Sequence, residues 1–181
     1  MKLFCRAGSL YGCKEVTSVD NRQLFEQFIR QNVDGAYRFA YTYMKNREDA
    51  EDVVNESVVK ALRSIRSLKN PEYIKTWFYK IIVNTSLTQL RKKKRFMQLE
   101  HVEEAAEDDH ARLLFDSMVA AVAEPDRTIL VLRYCEGMTL AQVARVLDMN
   151  ENTIKTRLYR TLRTLRADME AKLDEPNQKG I

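Results

Sequence analysis

Five glycines and three prolines in 181 residues are too few turn-formers for a chain built of many short strands. The three cysteines, Cys5, Cys13 and Cys135, are odd in number and widely scattered, which argues against a disulfide framework and fits a reducing compartment. No apolar run approaches the roughly 18 residues that a membrane-spanning helix needs. Leu10-Tyr11-Gly12-Cys13 resembles a lipoprotein cleavage box, but Arg6 and Gly8 interrupt the apolar stretch that such a signal requires. A cytoplasmic protein, not embedded in a membrane, is therefore expected. His101 and His110 are the only histidines, and their spacing from Cys5 and Cys13 matches no zinc signature. With no nucleophile, base and orienter set in view either, the sequence offers no catalytic residue, metal, cofactor or small-molecule substrate. Charge of one sign is also in short supply: the net charge is only +4, so a nucleic-acid partner would have to be met by local patches.

What is present is helical periodicity, which predicts an all-α protein. Its most informative stretch is 134–163. Gly137 suits the left-handed position that ends a helix, and Thr139 with Gln142 three residues on fits a capping box. Leu140, Val143, Ala144 and Leu147 then make one apolar stripe over two turns, so this helix packs. Asp148, Met149 and Asn150 form the turn, with Asn150 as the next N-cap. On the second helix Ile154, Leu158, Leu162 and Leu165 face inward, leaving Asn152, Thr153, Lys155, Thr156, Arg157 and Arg160 on the other surface. A basic helix after a tight turn is how helix-turn-helix proteins enter the major groove, although a solvated basic face has the same spacing. Cys135, on the apolar helix before Gly137, is expected to be a small core residue.

Upstream, residues 1–19 show no periodicity and read as a poorly ordered extension. A first helix over 21–44 carries an aromatic-rich stripe of Leu24, Phe25, Phe28, Ile29, Val33, Ala36, Tyr37 and Ala40, ending at Tyr43 or Met44. Asn46 caps a second helix whose inward face is Ala50, Val53, Val54, Ser57, Val58, Ala61, Leu62 and Ile65. Its outward residues are acidic early and basic late, as the helix dipole favours; spacing alone does not distinguish this from an ordinary surface helix. Residues 64–70 read as a basic loop, and Pro71 with Asn70 as cap opens a third helix. That helix carries Ile74, Trp77, Phe78, Ile81, Ile82 and Leu90, with Trp77 read as core, and ends in five basic residues, Arg91-Lys92-Lys93-Lys94-Arg95. Aromatics beside such a basic run suit a strand with unstacked bases. Composition then flips to acid at Glu100, Glu103, Glu104, Glu107, Asp108 and Asp109, which reads as a linker. A helix resumes near Ala111 with Leu113, Leu114, Met118, Val119 and Val122, and Pro125 opens the helix leading to Gly137.

This order of parts resembles the extracytoplasmic-function (group IV) sigma factors of bacterial RNA polymerase. Three segments carry the resemblance: 46–60 (NREDAEDVVNESVVK), similar to the polymerase-binding helix of the sigma-2 domain; 74–95 (IKTWFYKIIVNTSLTQLRKKKR), similar to its −10 helix; and 125–166, similar to sigma-4. The resemblance implies two small helical domains, a sigma-2 bundle at 20–95 and a sigma-4 helix-turn-helix at 112–173, joined by an acidic linker at 96–111 and followed by a tail at 174–181. It implies that Asp49, Glu51, Asp52, Asn55 and Glu56 meet the β and β′ subunits of core polymerase. Ser67, Lys69, Asn70, Lys75, Lys80 and Asn84, with Arg91, Lys92 and Lys93 on backbone phosphates, would serve the −10 element. Asn152, Thr153, Lys155, Thr156, Arg157 and Arg160 would serve the −35 element. An anti-sigma factor is a further implied partner. Where the family usually has Gly in its turn, this chain has Asp148, which would have to adopt the left-handed conformation. Two other classes compete: a one-component or response-regulator-type helix-turn-helix transcription factor, and a metal-dependent nuclease using Asp49, Glu51 and Asp52. A sensor domain has no use for the aromatic-basic helix at 74–95, and Glu51 points away from the face that Asp49 and Asp52 share.

Overall fold

The computed structural model describes residues 18–97 and 122–174, and every regular element among them is helical. In chain order the α-helices are α1 (Ser18–Met44), α2 (Arg47–Arg63), α3 (Ile74–Met97), α4 (Asp126–Leu130), α5 (Leu140–Leu147) and α6 (Glu151–Asp174). The extension up to residue 17, the acidic segment, the helix expected from Ala111 and the last seven residues lie outside the described residues.

Caps written in the sequence set most boundaries. The Asn46 side chain accepts from the Asp49 N–H at 3.0 Å, with Glu48 and Asp49 in the first turn of α2, where the positive end of the helix dipole favours acid. The 64–70 segment is less of a loop than its composition suggests: Ile65–Ser67 is a 3-10 turn, and Ile65 and Leu68 are buried. Asn70 caps as expected, accepting from the Glu72 N–H at 2.9 Å, but Pro71–Tyr73 is a 3-10 turn and the α-helical part of α3 starts only at Ile74.

The first three helices bury one another's aromatic faces. Phe25, Phe39, Phe78 and Tyr79 are fully buried and meet edge to face, Phe25 with Phe78 and Phe39 with Tyr79 each at 5.2 Å between centroids. Trp77 is half-buried against the edge of Phe25 and donates to Ser67 Oγ at 3.2 Å. On α1 the expected stripe is partly corrected: Leu24 and Val33 are exposed, and Phe39, absent from that stripe, is fully buried. Leu24 and Val33 fall at the two edges of the packed face of α1, outside the arc that holds buried Phe25, Ala36 and Phe39, and so stay in water.

The C-terminal helices keep their sequence punctuation. Gly137 has φ +64°, the Thr139–Gln142 capping box is complete, and Asp148 adopts the left-handed conformation at φ 52°. Asn150 accepts from the Asn152 N–H at 2.8 Å at the head of α6. Ile154 and Leu158 are buried, Leu162 and Leu165 half-buried, as the stripe requires. Val146, absent from the α5 stripe, is buried too. The expectation for Cys135 fails: the thiol is exposed. The reason is local geometry. Val131–Cys135 is a π-helical turn, with the Glu136 N–H reaching back five residues to the Val131 carbonyl at 3.1 Å. The wider turn keeps Val131 and Leu132 inside and rotates Tyr134 and Cys135 outward.

The two helical sets pack against each other. Lys75 Nζ donates to the Glu136 carbonyl at 2.6 Å, and its charge lies 3.5 Å from the carboxylate, to which the Tyr79 hydroxyl also donates. Gly35, in the interior of α1, lets this pair come close: a Cβ there would lie 3.2 Å from the Tyr79 oxygen and 3.4 Å from the Glu136 carboxylate. That approach explains a glycine at a helical position where alanine would otherwise be better by about 0.5–1 kcal/mol. Farther along, Arg145 lies over the Tyr73 ring at 4.6 Å, Arg127 donates to the Thr42 carbonyl at 3.1 Å, and Tyr43 and Thr128 share a hydrogen bond.

Candidate nucleic-acid interface

The acidic residues of α2 divide between two surroundings. Glu51, Asp52 and Asn55 are exposed, and Glu51 makes only an i,i+4 pair with Arg47 at 3.2 Å. Asp49 and Glu56 are half-buried and engaged by neighbours: Lys93 Nζ lies 3.0 Å from Asp49, and Glu56 takes Lys60 at 2.8 Å and an N–H of Gln89 at 2.9 Å. The Lys60 and Gln89 hydrogen bonds hold the Glu56 carboxyl below its usual range. Of the five, Glu51, Asp52 and Asn55 are thus open to solvent, while Asp49 is held by Lys93 of α3 and Glu56 by Lys60 of α2 and Gln89 of α3.

The residues proposed from sequence for −10 contacts do not share one surface either. Ser67 and Lys69 are exposed beside the α3 N-terminus, while the Asn70 side chain is occupied as a helix cap. Lys75 and Lys80 point at the C-terminal helices, Lys75 at Glu136 and Lys80 at Asp148, the latter at 2.5 Å. Asn84, Arg91 and Lys92 are exposed; Lys93 turns toward Asp49. Lys80, Asn84 and Arg91, at i, i+4 and i+11, fall along one side of α3.

On α6, Asn152, Thr153, Lys155 and Thr156 are exposed at the N-terminal end, next to the turn. Arg157 is half-buried and is not simply part of that outward face: its Nη1 lies 3.0 Å from Asp126 Oδ1, and Arg160 Nη2 lies 3.2 Å from Asp126 Oδ2. Two residues outside the sequence-derived set belong to the exposed face, Tyr159, 59% exposed, and Arg163. Both continue the Asn152, Lys155, Thr156 row at helical spacing, which was the available signal; an aromatic ring in an amphipathic pattern is more readily counted as core. Along this face the helix N-terminus presents exposed amide, hydroxyl, ammonium, guanidinium and phenol groups in series, the group types that contact phosphates and base edges. Among the described residues no cluster of three or more His, Cys, Asp or Glu side chains is arranged to hold a metal ion, and no helix is long and apolar enough to cross a membrane.

Comparison with known proteins matches both halves. The model of sigma-70 region 2 covers residues 28–96 and that of sigma-70 region 4 covers residues 112–165. The RNA polymerase sigma factor SigV of Bacillus subtilis is 38% identical over 138 residues, spanning 74% of this chain and 83% of that protein. The ECF RNA polymerase sigma factor SigW of the same organism is 26% identical over 177 residues, 86% of this chain and 94% of its own length. In fold, the chain is similar to the sigma factor RpoE of Bartonella quintana, solved with the anti-sigma factor NepR, at TM-score 0.69 and 21% identity over 81% of this chain and 96% of that one. CnrH, solved with the cytosolic domain of CnrY, gives TM-score 0.64 at 22% identity over 85% and 92% of the respective chains.

Proposed function

The chain belongs to the extracytoplasmic-function group of the sigma-70 family, alternative sigma factors that direct transcription initiation by RNA polymerase, and from that premise we propose how its residues divide the work. Region 2, through the exposed strip Glu51, Asp52 and Asn55 with Asp49 and Glu56 behind it, docks on the β and β′ subunits of core polymerase. Ser67, Lys69, Lys80 and Asn84 then approach the melted −10 strand, with Arg91 and Lys92 on phosphates. Region 4 grips the −35 element with Asn152, Thr153, Lys155 and Thr156 and with Arg157 and Arg160, which Asp126 holds, joined by Tyr159 and Arg163. Asn70 acts through the chain direction it caps, and Lys75, Lys80 and Lys93 have protein partners to exchange before they meet DNA.

One observation carries this reading: an acid-strip helix, an aromatic-basic helix and a capped helix-turn-helix follow in that order, within a chain matched in both halves by sigma-70 models. A one-component regulator would need a sensor domain where the region 2 match lies, and the comparisons do not favour it. The protein acts without a catalytic site of its own, in the cytoplasm where polymerase works, and an anti-sigma partner that holds one or both regions belongs to the same proposal. It is tested by transcription from a library of candidate promoters with purified core polymerase. Initiation at a defined promoter subset, dependent on this chain, is expected; no gain over core enzyme at any promoter overturns it.

A further inference from the structure

Asp126 is the first residue of α4, 31 and 34 residues ahead of the two arginines it binds on α6. Each carboxylate oxygen is committed to a different guanidinium, Oδ1 to Arg157 and Oδ2 to Arg160. The acid is the least exposed member of the trio, its side chain 16% accessible against 34% for Arg157 and 60% for Arg160. A guanidinium has five N–H donors in a fixed planar fork, so one contact to Asp126 leaves four on each arginine for another partner. The pair sits one turn apart at i, i+3, and a single planar carboxylate therefore sets the positions of both forks together.

We infer that Asp126 is a positioning residue for sequence reading by region 4: from a neighbouring helix it fixes Arg157 and Arg160 in the orientation that the preferred −35 sequence requires. The inference rests on the reading of α6 as the −35 helix. An unanchored arginine carries rotamer entropy that any DNA contact would have to overcome. Anchoring one edge of each fork removes part of that cost only for sequences whose acceptors match the fixed orientation. The same carboxylate adds negative charge beside the DNA-facing surface, so it opposes binding to phosphates of any sequence. Asp126 thus favours the matched site and disfavours the unmatched one. A plain structural ion pair would not have these opposite signs.

The test uses polymerase reconstituted from core enzyme and the full chain, with duplexes carrying the preferred −35 element, single-base variants of it, or none. For Asp126→Asn, which keeps the shape and one acceptor but removes the charge, discrimination between preferred and variant −35 elements should fall about tenfold, equivalent to 1.4 kcal/mol. Affinity for duplexes lacking the element should rise at the same time. Asp126→Glu should recover discrimination at least in part. Unchanged discrimination in Asp126→Asn, or a parallel loss of affinity for all duplexes together with a lower melting temperature, overturns the inference and assigns the acid to packing. If the wild-type enzyme shows no −35 preference, the reading of α6 falls and the inference falls with it; if the wild type discriminates and Asp126→Asn does so equally, only the inference falls.

Discussion

Lys80 Nζ stands 2.5 Å from Asp148 Oδ1, across 68 residues of sequence, and joins α3 of region 2 to the turn between α5 and α6 in region 4. Asp148 is 73% exposed in its side chain, so the pair by itself contributes no more than about 1 kcal/mol. Its neighbour, Glu136 with Lys75 and Tyr79, is the stronger tie, because the Glu136 side chain is only 8% exposed, accepts from the Tyr79 hydroxyl and pairs with Lys75 Nζ at 3.5 Å, while the Glu136 carbonyl takes the Lys75 hydrogen bond. Together they turn two lysines of the proposed −10 surface toward carboxylates of region 4.

Replacing Glu136 by Ala should therefore loosen the packing between α3 and α5 in the free chain. Amide hydrogen exchange in α5 is expected to accelerate while the helices of region 2 keep their protection. Equal exchange in the variant and wild type would show that the packing of α5 against α3 does not depend on this carboxylate.

Asp148 occupies a left-handed conformation that costs an L-residue roughly 1–2 kcal/mol unless its side chain suits it, as Asp and Asn do. Asp148→Gly should be close to neutral, losing the Lys80 pair but relieving the backbone, whereas Asp148→Ala should destabilise by about 1 kcal/mol. At Gly137, φ +64° with nothing within 4 Å of an added Cβ, Gly137→Ala should also cost about 1 kcal/mol, through the backbone alone. Urea unfolding of the three variants checks the order; an alanine at either site as stable as the glycine there would contradict it.

Burial raises the Tyr79 hydroxyl above its ordinary value of 10.0, with the hydrogen bond to Glu136 and the Glu136 charge adding to the effect. Burial does the same to Tyr43. A phenol whose folded pKa lies above its unfolded one contributes stability that is full below pH 10 and is lost as pH rises beyond it. The melting temperature should fall above pH 10, and Tyr79→Phe should be less stable at neutral pH but flatter in that alkaline range. An alkaline slope as steep in the variant as in the wild type would remove Tyr79 as its source.

Neutralising Lys92 and Lys93 should weaken promoter binding irrespective of sequence. If each meets a phosphate, the slope of log affinity against log salt should flatten by about 0.9 for every phosphate left without its lysine. Lys93 also holds Asp49, so its single substitution should disturb core binding as well, whereas that of Lys92 should not. A salt slope equal to the wild type would exclude both from the phosphate backbone.

Much of this molecule is local chemistry, and local chemistry is readable along the chain. Asn46, Asn70, Thr139, Gln142 and Asn150 satisfy backbone donors within three residues of themselves, and Gly137 and Asp148 mark left-handed turns, so helix limits and the helix-turn-helix follow from neighbours in sequence. The apolar periods likewise gave α2 and α6 their inner faces. They failed where an element departs from the α period, at Cys135, rotated outward by a π turn, and where apolar residues fall at edges of α1 that no partner covers, at Leu24 and Val33.

What only the tertiary structure decided is which charges are committed and to whom. Sequence established a helical chain with an acidic helix, an aromatic-basic helix and a capped reading helix, because periodicity and caps act over a few residues. The meetings of Lys75 with Glu136, Lys80 with Asp148, Lys93 with Asp49 and both Arg157 and Arg160 with Asp126 join side chains 31 to 68 residues apart. No spacing rule spans such intervals, since Coulomb and hydrogen-bond energies depend on distances that exist only once the helices have packed.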